Sequence, residues 1–141
     1  MMNEYNFYDT CSLLLKASTL FETEENIVIS SITLQELEDI KTNRNKSPDV
    51  KFAARRVLAN FDSHPQGYEV VIYKNDMLEP FIEKSFEITN DIRILASAFW
   101  YDNNVHPDCV NFITNDLALK HIANLYFGSD NIKSIEVDLD D

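Results

Sequence analysis

The sequence predicts an α/β protein, a three-layer α/β/α sandwich around a central, mainly parallel sheet of about five strands. Short β-branched and aromatic runs alternate with segments whose apolar residues recur every three or four positions. The chain carries only 2 Gly and 4 Pro, which leaves little length for flexible linkers. No internal repeat or low-complexity stretch interrupts the alternation, so the 141 residues read as one domain. That domain is expected over residues 1–137, with 138–141 an acidic tail or the start of a linker.

Each element has its own signal. Tyr5-Asn6-Phe7-Tyr8 is the first strand, ending at Asp9. Leu13, Leu14, Ala17, Leu20 and Phe21 then share one face of a helix. Asn26–Ser30 (NIVIS) is a buried strand, and Ser30, Ser31 and Thr33 offer caps for a helix carrying Leu34, Leu37 and Ile40. Thr42–Asp49 is polar, and Pro48 is placed where a further helix starts, with Val50, Ala54, Val57, Leu58 and Phe61 at helical spacing. His64-Pro65-Gln66-Gly67 ends it, Glu69–Tyr73 (EVVIY) is the third strand, and residues 76–84 form a short helix. A longer helix begins near Asn90, burying Ile92, Leu95, Ala96 and Phe99. Val110–Thr114 (VNFIT) is the fourth strand, followed by a helix bearing Ala118, Ile122 and Leu125, and Ile132–Val137 is an edge-like fifth strand.

Composition excludes several classes. No apolar run approaches the roughly 20 residues of a membrane span, and the N-terminus lacks the basic-then-apolar pattern of a secretory signal, so the expectation is a cytoplasmic chain with no membrane partner. Cys11 and Cys109 fall at opposite ends of their strands and are expected as free thiols. His64, His106 and His121 are scattered and no CxxC occurs, which argues against zinc. No nucleophile motif appears either. The net charge is -12, yet six of the 12 Lys and Arg lie within residues 41–56: Lys41, Arg44, Lys46, Lys51, Arg55 and Arg56.

Ligands of an open parallel sheet bind at the carboxyl ends of its strands. Asp9 follows the first strand, Glu36 lies in the first turn after the second, Asp91 opens the helix before the fourth, and Asp116 follows the fourth. Each has a structural alternative. Thr33-x-x-Glu36 matches a capping box, Asp91 and Asp116 suit helix N-termini, and Asp9 suits a turn. Together they are harder to explain structurally, because clustered carboxylates repel one another unless cations lie among them. Oxygen-only ligation points to Mg²⁺ or Mn²⁺, and such a site suits phosphodiester hydrolysis. Thr10, Ser12, Thr114, Asn90 and Asn115 are candidates for orienting water or phosphate, or are ordinary caps.

Four segments carry a family resemblance. Tyr8-Asp9-Thr10-Cys11-Ser12-Leu13-Leu14 resembles the D-T-[NS]-x-L-[LI] opening of PIN domains, with Cys11 where the pattern has Asn or Ser. Leu34-Gln35-Glu36-Leu37-Glu38-Asp39-Ile40-Lys41 is similar to their V-x-x-E-L-[DE]-x-[LI]-K helix. Asn90–Ala98 resembles N-D-x-x-I-L-x-x-A, and Phe112–Lys120 resembles [LVF]-[VLI]-T-N-D-x-x-L-[RK]. The order holds from about residue 7 to 120. The resemblance implies a metal-dependent ribonuclease in which Asp9, Glu36, Asp91 and Asp116 are the metal-site acids and Thr114 assists. In style it is closest to PIN domains upstream of PhoH-like ATPases, although no GxxxxGK[ST] loop is present and an ATPase part would lie beyond the chain.

The remaining expectations concern partners. Lys41, Arg44 and Lys46, with Thr10 and Asn115 nearer the acids, are candidates for holding single-stranded RNA, and Arg55 and Arg56 for extending that track. The alternative is a solvated surface. Arg93 either contacts substrate or pairs with a site acid. Phe52, Phe61, Phe99 and Phe112 fall on core-type positions, and Trp100 and Tyr101 are expected to pack. A homodimer, an inhibitor protein and a non-catalytic RNA- or protein-binding module remain open. A phospho-acceptor domain fits poorly, because Asp9 is followed by Thr-Cys and EVVIY runs into Lys74-Asn75-Asp76.

Overall fold

A computed structural model describes residues 3–136 of the chain. Five strands form one sheet in the order β3-β2-β1-β4-β5. They are β1 (Tyr5–Tyr8), β2 (Ile27–Ser30), β3 (Tyr68–Val71), β4 (Val110–Ile113) and β5 (Ile132–Lys133), all parallel. The fifth strand is shorter than expected, and Val137 and the acidic tail lie outside the described residues. Helices are α1 (Thr10–Leu15), α2 (Leu20–Thr23), α3 (Ser31–Thr42), α4 (Pro48–Ser63), α5 (Glu79–Glu83), α6 (Asn90–Asn104) and α7 (Leu117–Ala123). A 3-10 turn at Asn75–Leu78 leads into α5.

Strand alternation distributes the core over two faces. Phe7, Val28, Val71 and Phe112 pack with Leu95, Ala98 and Tyr101 of α6 on one side. Tyr8, Ile27, Ile29 and Ile113 pack with Leu13, Leu37, Ala54, Val57 and Phe61 on the other. Both faces are covered, so β2 and β4 are buried along their whole length.

Local sequence sets the helix boundaries. Ser47 accepts from the Val50 amide and Pro48 occupies the first turn of α4, where its missing N–H costs nothing. Thr89 caps α6 by accepting from Ile92. The single helix expected over Leu13–Phe21 is instead two. The Lys16 N–H closes onto the carbonyls of the last turn of α1, and polar Ser18 and Thr19 separate that turn from α2. The apolar stripe survives the break, since Leu13, Ala17 and Leu20 are all buried.

Two expectations about burial fail. In α7 the buried positions are Leu119 and Ala123, with Ala118 exposed, Ile122 half-buried and Leu125 exposed beyond the helix end. The Asp116 cap starts this short helix at Leu117 and sets its phase by the Leu119–Ala123 pair, one residue off the stripe that the sequence suggests. Phe52 is 58% exposed, because Val50, Ala54, Val57 and Phe61 define the inner face of α4 and position 52 falls opposite to it. Trp100 is partly exposed, whereas Tyr101, Phe61 and Phe112 are buried as expected. Both cysteines are free. Among the described residues no helix is long and apolar enough to cross a membrane.

Candidate active site

The chain begins in the middle of the sheet, builds outward through β2 and β3, then returns to place β4 on the other side of β1. The switch in strand order therefore falls between β1 and β4, and a crevice opens beyond their carboxyl ends. Asp9 leaves β1 and Asp116 follows β4, one on each side of that crevice. Glu36 comes from α3 and Asp91 from the first turn of α6. A cleft of about 270 Å³ has Asp91 and Asp116 in its wall beside Thr89, Ile92 and Leu119.

Asp9 is 3% exposed, and both of its oxygens are engaged. Oδ1 accepts the Ser12 amide at 2.9 Å, and Oδ2 accepts the Thr114 hydroxyl at 2.5 Å. Thr114, fully buried, in turn accepts the Asp116 amide at 3.0 Å, so one hydroxyl ties together the ends of β1 and β4 and the start of α7. Asp116 caps α7 through Oδ1, which accepts the Leu119 amide at 3.1 Å. Asp116 is thus a helix cap, as its structural alternative has it, and Asp9, whose alternative was a turn residue, caps α1 instead. Capping does not exhaust them, because a carboxylate has about four lone-pair sites.

For Glu36 the structural alternative fails. Ser30, not Thr33, caps α3 by accepting the Ile32 amide, so Glu36 lies in the second turn and forms no capping box. Thr33 is buried inside the helix, 3.2 Å from the Thr10 hydroxyl. Thr10 donates to Glu36 Oε1 at 2.6 Å, and the Asn90 amide donates to Oε2 at 3.4 Å. Asn90 Oδ1 accepts from Arg93 at 2.9 Å. A hydrogen-bonded line therefore runs Arg93–Asn90–Glu36–Thr10, from α6 through α3 to α1. Arg93 forms no ion pair among the described residues, so the expected pairing with a site acid is replaced by the amide of Asn90.

Asp91 senses the other three acids. Asp91 has its pKa raised, first by burial and then by the charges of Glu36, Asp9 and Asp116. The Cys11 thiol is pushed up by burial and by the same four carboxylates. The acids thus share one electrostatic environment at the carboxyl edge. They are not drawn into ligating contact: among the described residues no group of three or more His, Cys, Asp or Glu stands close enough to hold a metal ion. The donor set fits a hard divalent cation in chemistry and charge, while the geometry shown is that of separated carboxylates, of which Asp9, Glu36 and Asp116 are each held by hydrogen bonds.

Other expected site residues have different partners. Asn115 donates to the Ile135 carbonyl at 3.1 Å and accepts the Ile135 amide at 2.9 Å, pinning the segment after β5. Lys41 pairs with Glu38 one turn back at 2.8 Å. Arg44 and Lys46 are exposed in the loop between α3 and α4. The residues missed in the sequence are Thr33 and the buried pair Ser30–Ser97, whose hydroxyls lie 3.0 Å apart and join β2 to α6. Thr33 was legible only as a cap, and no spacing marks two serines separated by 67 positions.

A three-layer parallel fold with acids at the topological switch places the candidate site beyond the carboxyl ends of β1 and β4. A family model described as PIN domain matches residues 7–126, and the chain belongs to that family. PIN domains are in general nucleases, typically dependent on divalent metal ions, so the chain has a nuclease fold. No curated protein matches the chain.

Proposed function

We propose that this chain is a ribonuclease that hydrolyses RNA phosphodiester bonds with Mg²⁺ or Mn²⁺ held by Asp9, Glu36, Asp91 and Asp116. The observation that carries the reading is the placement of Asp9, Glu36, Asp91 and Asp116 around the β1–β4 switch, near enough that the charges of the other three push the Asp91 carboxyl up. An edge where three negative charges oppose the ionisation of Asp91 is a natural counter-charge for a hard cation, and oxygen-only donors favour Mg²⁺ or Mn²⁺ over zinc. Such a cation, when bound, lowers the pKa of water and steadies the leaving oxygen.

The chain's own residues prepare that site. Thr114 and the Ser12 amide fix Asp9, and Thr10 fixes Glu36, so both carboxylates present defined faces to the crevice. Arg93, oriented by Asn90, offers a guanidinium to a substrate phosphate. Arg44 and Lys46 in the loop after α3 continue the cationic approach.

The test incubates the chain with labelled single-stranded RNA in Mn²⁺, in Mg²⁺ and in EDTA, beside Asp9→Asn and Asp116→Asn. Metal-dependent cleavage, lost in both variants, is the expected outcome. Cleavage that survives both substitutions refutes the assignment. The separated carboxylates favour a second reading, a PIN-fold module that binds RNA or protein without cutting. Absence of both cleavage and metal-induced stabilisation selects it.

A further inference from the structure

The outer face of α4 carries a feature that the fold does not need. Phe52 is 58% exposed and stands opposite the buried Ala54, Val57 and Phe61. Arg56, one turn on, places its guanidinium 5.8 Å from the centre of the Phe52 ring. Residues 41–56 hold six bases against one acid, Asp49, a net of +5 in a chain of net -12. Among the described residues Arg44, Lys46, Lys51, Arg55 and Arg56 form no ion pair. An exposed aromatic ring flanked by cations that have no acidic partner among the described residues, on an acidic protein, has an obvious complement, a flexible polyanion with apolar faces.

The direction of α4 connects this face to the acids. Phe61 near its end stacks on Tyr68, which opens β3, and His64 stacks on Phe21. The end of α4 therefore lies at the amino-terminal edge of the sheet. The helix has 16 residues, about 24 Å, against about 13 Å for a four-residue strand. Its start, and the loop bearing Arg44 and Lys46, consequently reach the carboxyl edge where Asp9, Glu36, Asp91 and Asp116 stand.

We propose that Phe52, with Arg55 and Arg56, forms a base-stacking platform for single-stranded RNA, from which the strand passes along Arg44 and Lys46 to the carboxylate edge. The proposal deepens the ribonuclease reading and rests on it for the identity of the strand. An aromatic ring accepts any base on its face, and the guanidinium held against it contributes a second planar surface and a phosphate contact. The platform accordingly favours unpaired strands and is indifferent to sequence. Duplex RNA, whose bases are stacked on one another, cannot use it.

The test measures binding of fluorescently labelled single-stranded RNA to the full chain in EDTA, by anisotropy over a salt series, with single-stranded DNA and duplex RNA in parallel. Phe52→Ala is expected to weaken single-strand binding roughly 5- to 100-fold with an unchanged salt slope, and Phe52→Tyr to restore it. Arg55→Ala with Arg56→Ala is expected to lower the slope of log K against log salt by about 0.7 for each phosphate no longer neutralised. Ile82→Ala, an exposed apolar position on α5, serves as the control and leaves binding unchanged. Single-strand binding that is absent in the wild type, or equal in Phe52→Ala, overturns the proposal. So does sedimentation showing that Phe52→Ala dissolves a dimer while RNA affinity stays the same. Cleavage assayed separately in Mn²⁺ keeps the two readings apart: Phe52-dependent binding without cleavage removes the nuclease and leaves the platform standing.

Discussion

Replacing Thr114 by Val keeps the volume of the side chain and removes one hydroxyl, which is the structural knot of the site. That hydroxyl donates to Asp9 Oδ2 at 2.5 Å and accepts the Asp116 amide at 3.0 Å, and the residue is fully buried. The bond to Asp9 is charge-assisted, and such bonds contribute about 1.5–3 kcal/mol. The Asp116 amide would lose its acceptor at the entrance to α7, at a cost of about 1 kcal/mol when water can reach it. Asp9 itself, 3% exposed, would keep only the Ser12 amide. The expected loss is therefore about 2.5–4 kcal/mol, read as a lower urea midpoint at unchanged m-value. Thr114→Ser retains the hydroxyl and should recover most of it. A Thr114→Val chain within about 0.5 kcal/mol of the wild type would refute the claim that this bond anchors Asp9, since that is the scatter of an ordinary surface substitution.

Two further outcomes follow from the same geometry. Asp91 has a raised folded-state pKa, so it favours the folded chain below its ordinary value of 3.8 and loses that contribution as pH rises through the raised value. Asp91→Asn should therefore raise the melting temperature of the metal-free chain at neutral pH, with the gap to wild type closing as pH falls toward about 4, and it should reduce the stabilisation conferred by Mn²⁺; equal pH profiles would contradict the mutual repulsion. Ser97→Ala leaves the buried Ser30 O–H without its acceptor, although the Ser30 oxygen still accepts the Ile32 amide, and should cost about 1–3 kcal/mol in chemical denaturation. The double replacement by Ala should cost less than the sum of the two singles, and strict additivity would show that the two hydroxyls are not coupled.

The sequence by itself determined the layers and the candidates. Strands and helices are legible from their periods because each side chain's face is fixed by its own neighbours along the chain: Phe7 and Tyr8 alternate, and Leu37 and Ile40 share a stripe. The four acids are legible as well, since Asp9 and Asp116 follow strands directly and a carboxyl-edge position is a property of local order. Local pattern failed where two phases competed. Ser30, Ser31 and Thr33 all offered caps, and only the packing of α3 chose Ser30, which turned Thr33 inward and freed Glu36. The same competition misplaced the buried face of α7, whereas Phe52 lies opposite the stripe of Val50, Ala54, Val57 and Phe61 that the sequence itself marks. Tertiary structure alone decided the sheet order, which puts β1 between β2 and β4 and so creates the crevice. It alone brought Thr114 to Asp9 across 105 positions and Ser97 to Ser30 across 67. The physical reason is that hydrogen bonds and charge coupling depend on distances of a few ångströms between segments far apart in the chain, and those distances exist only once both faces of the sheet have closed.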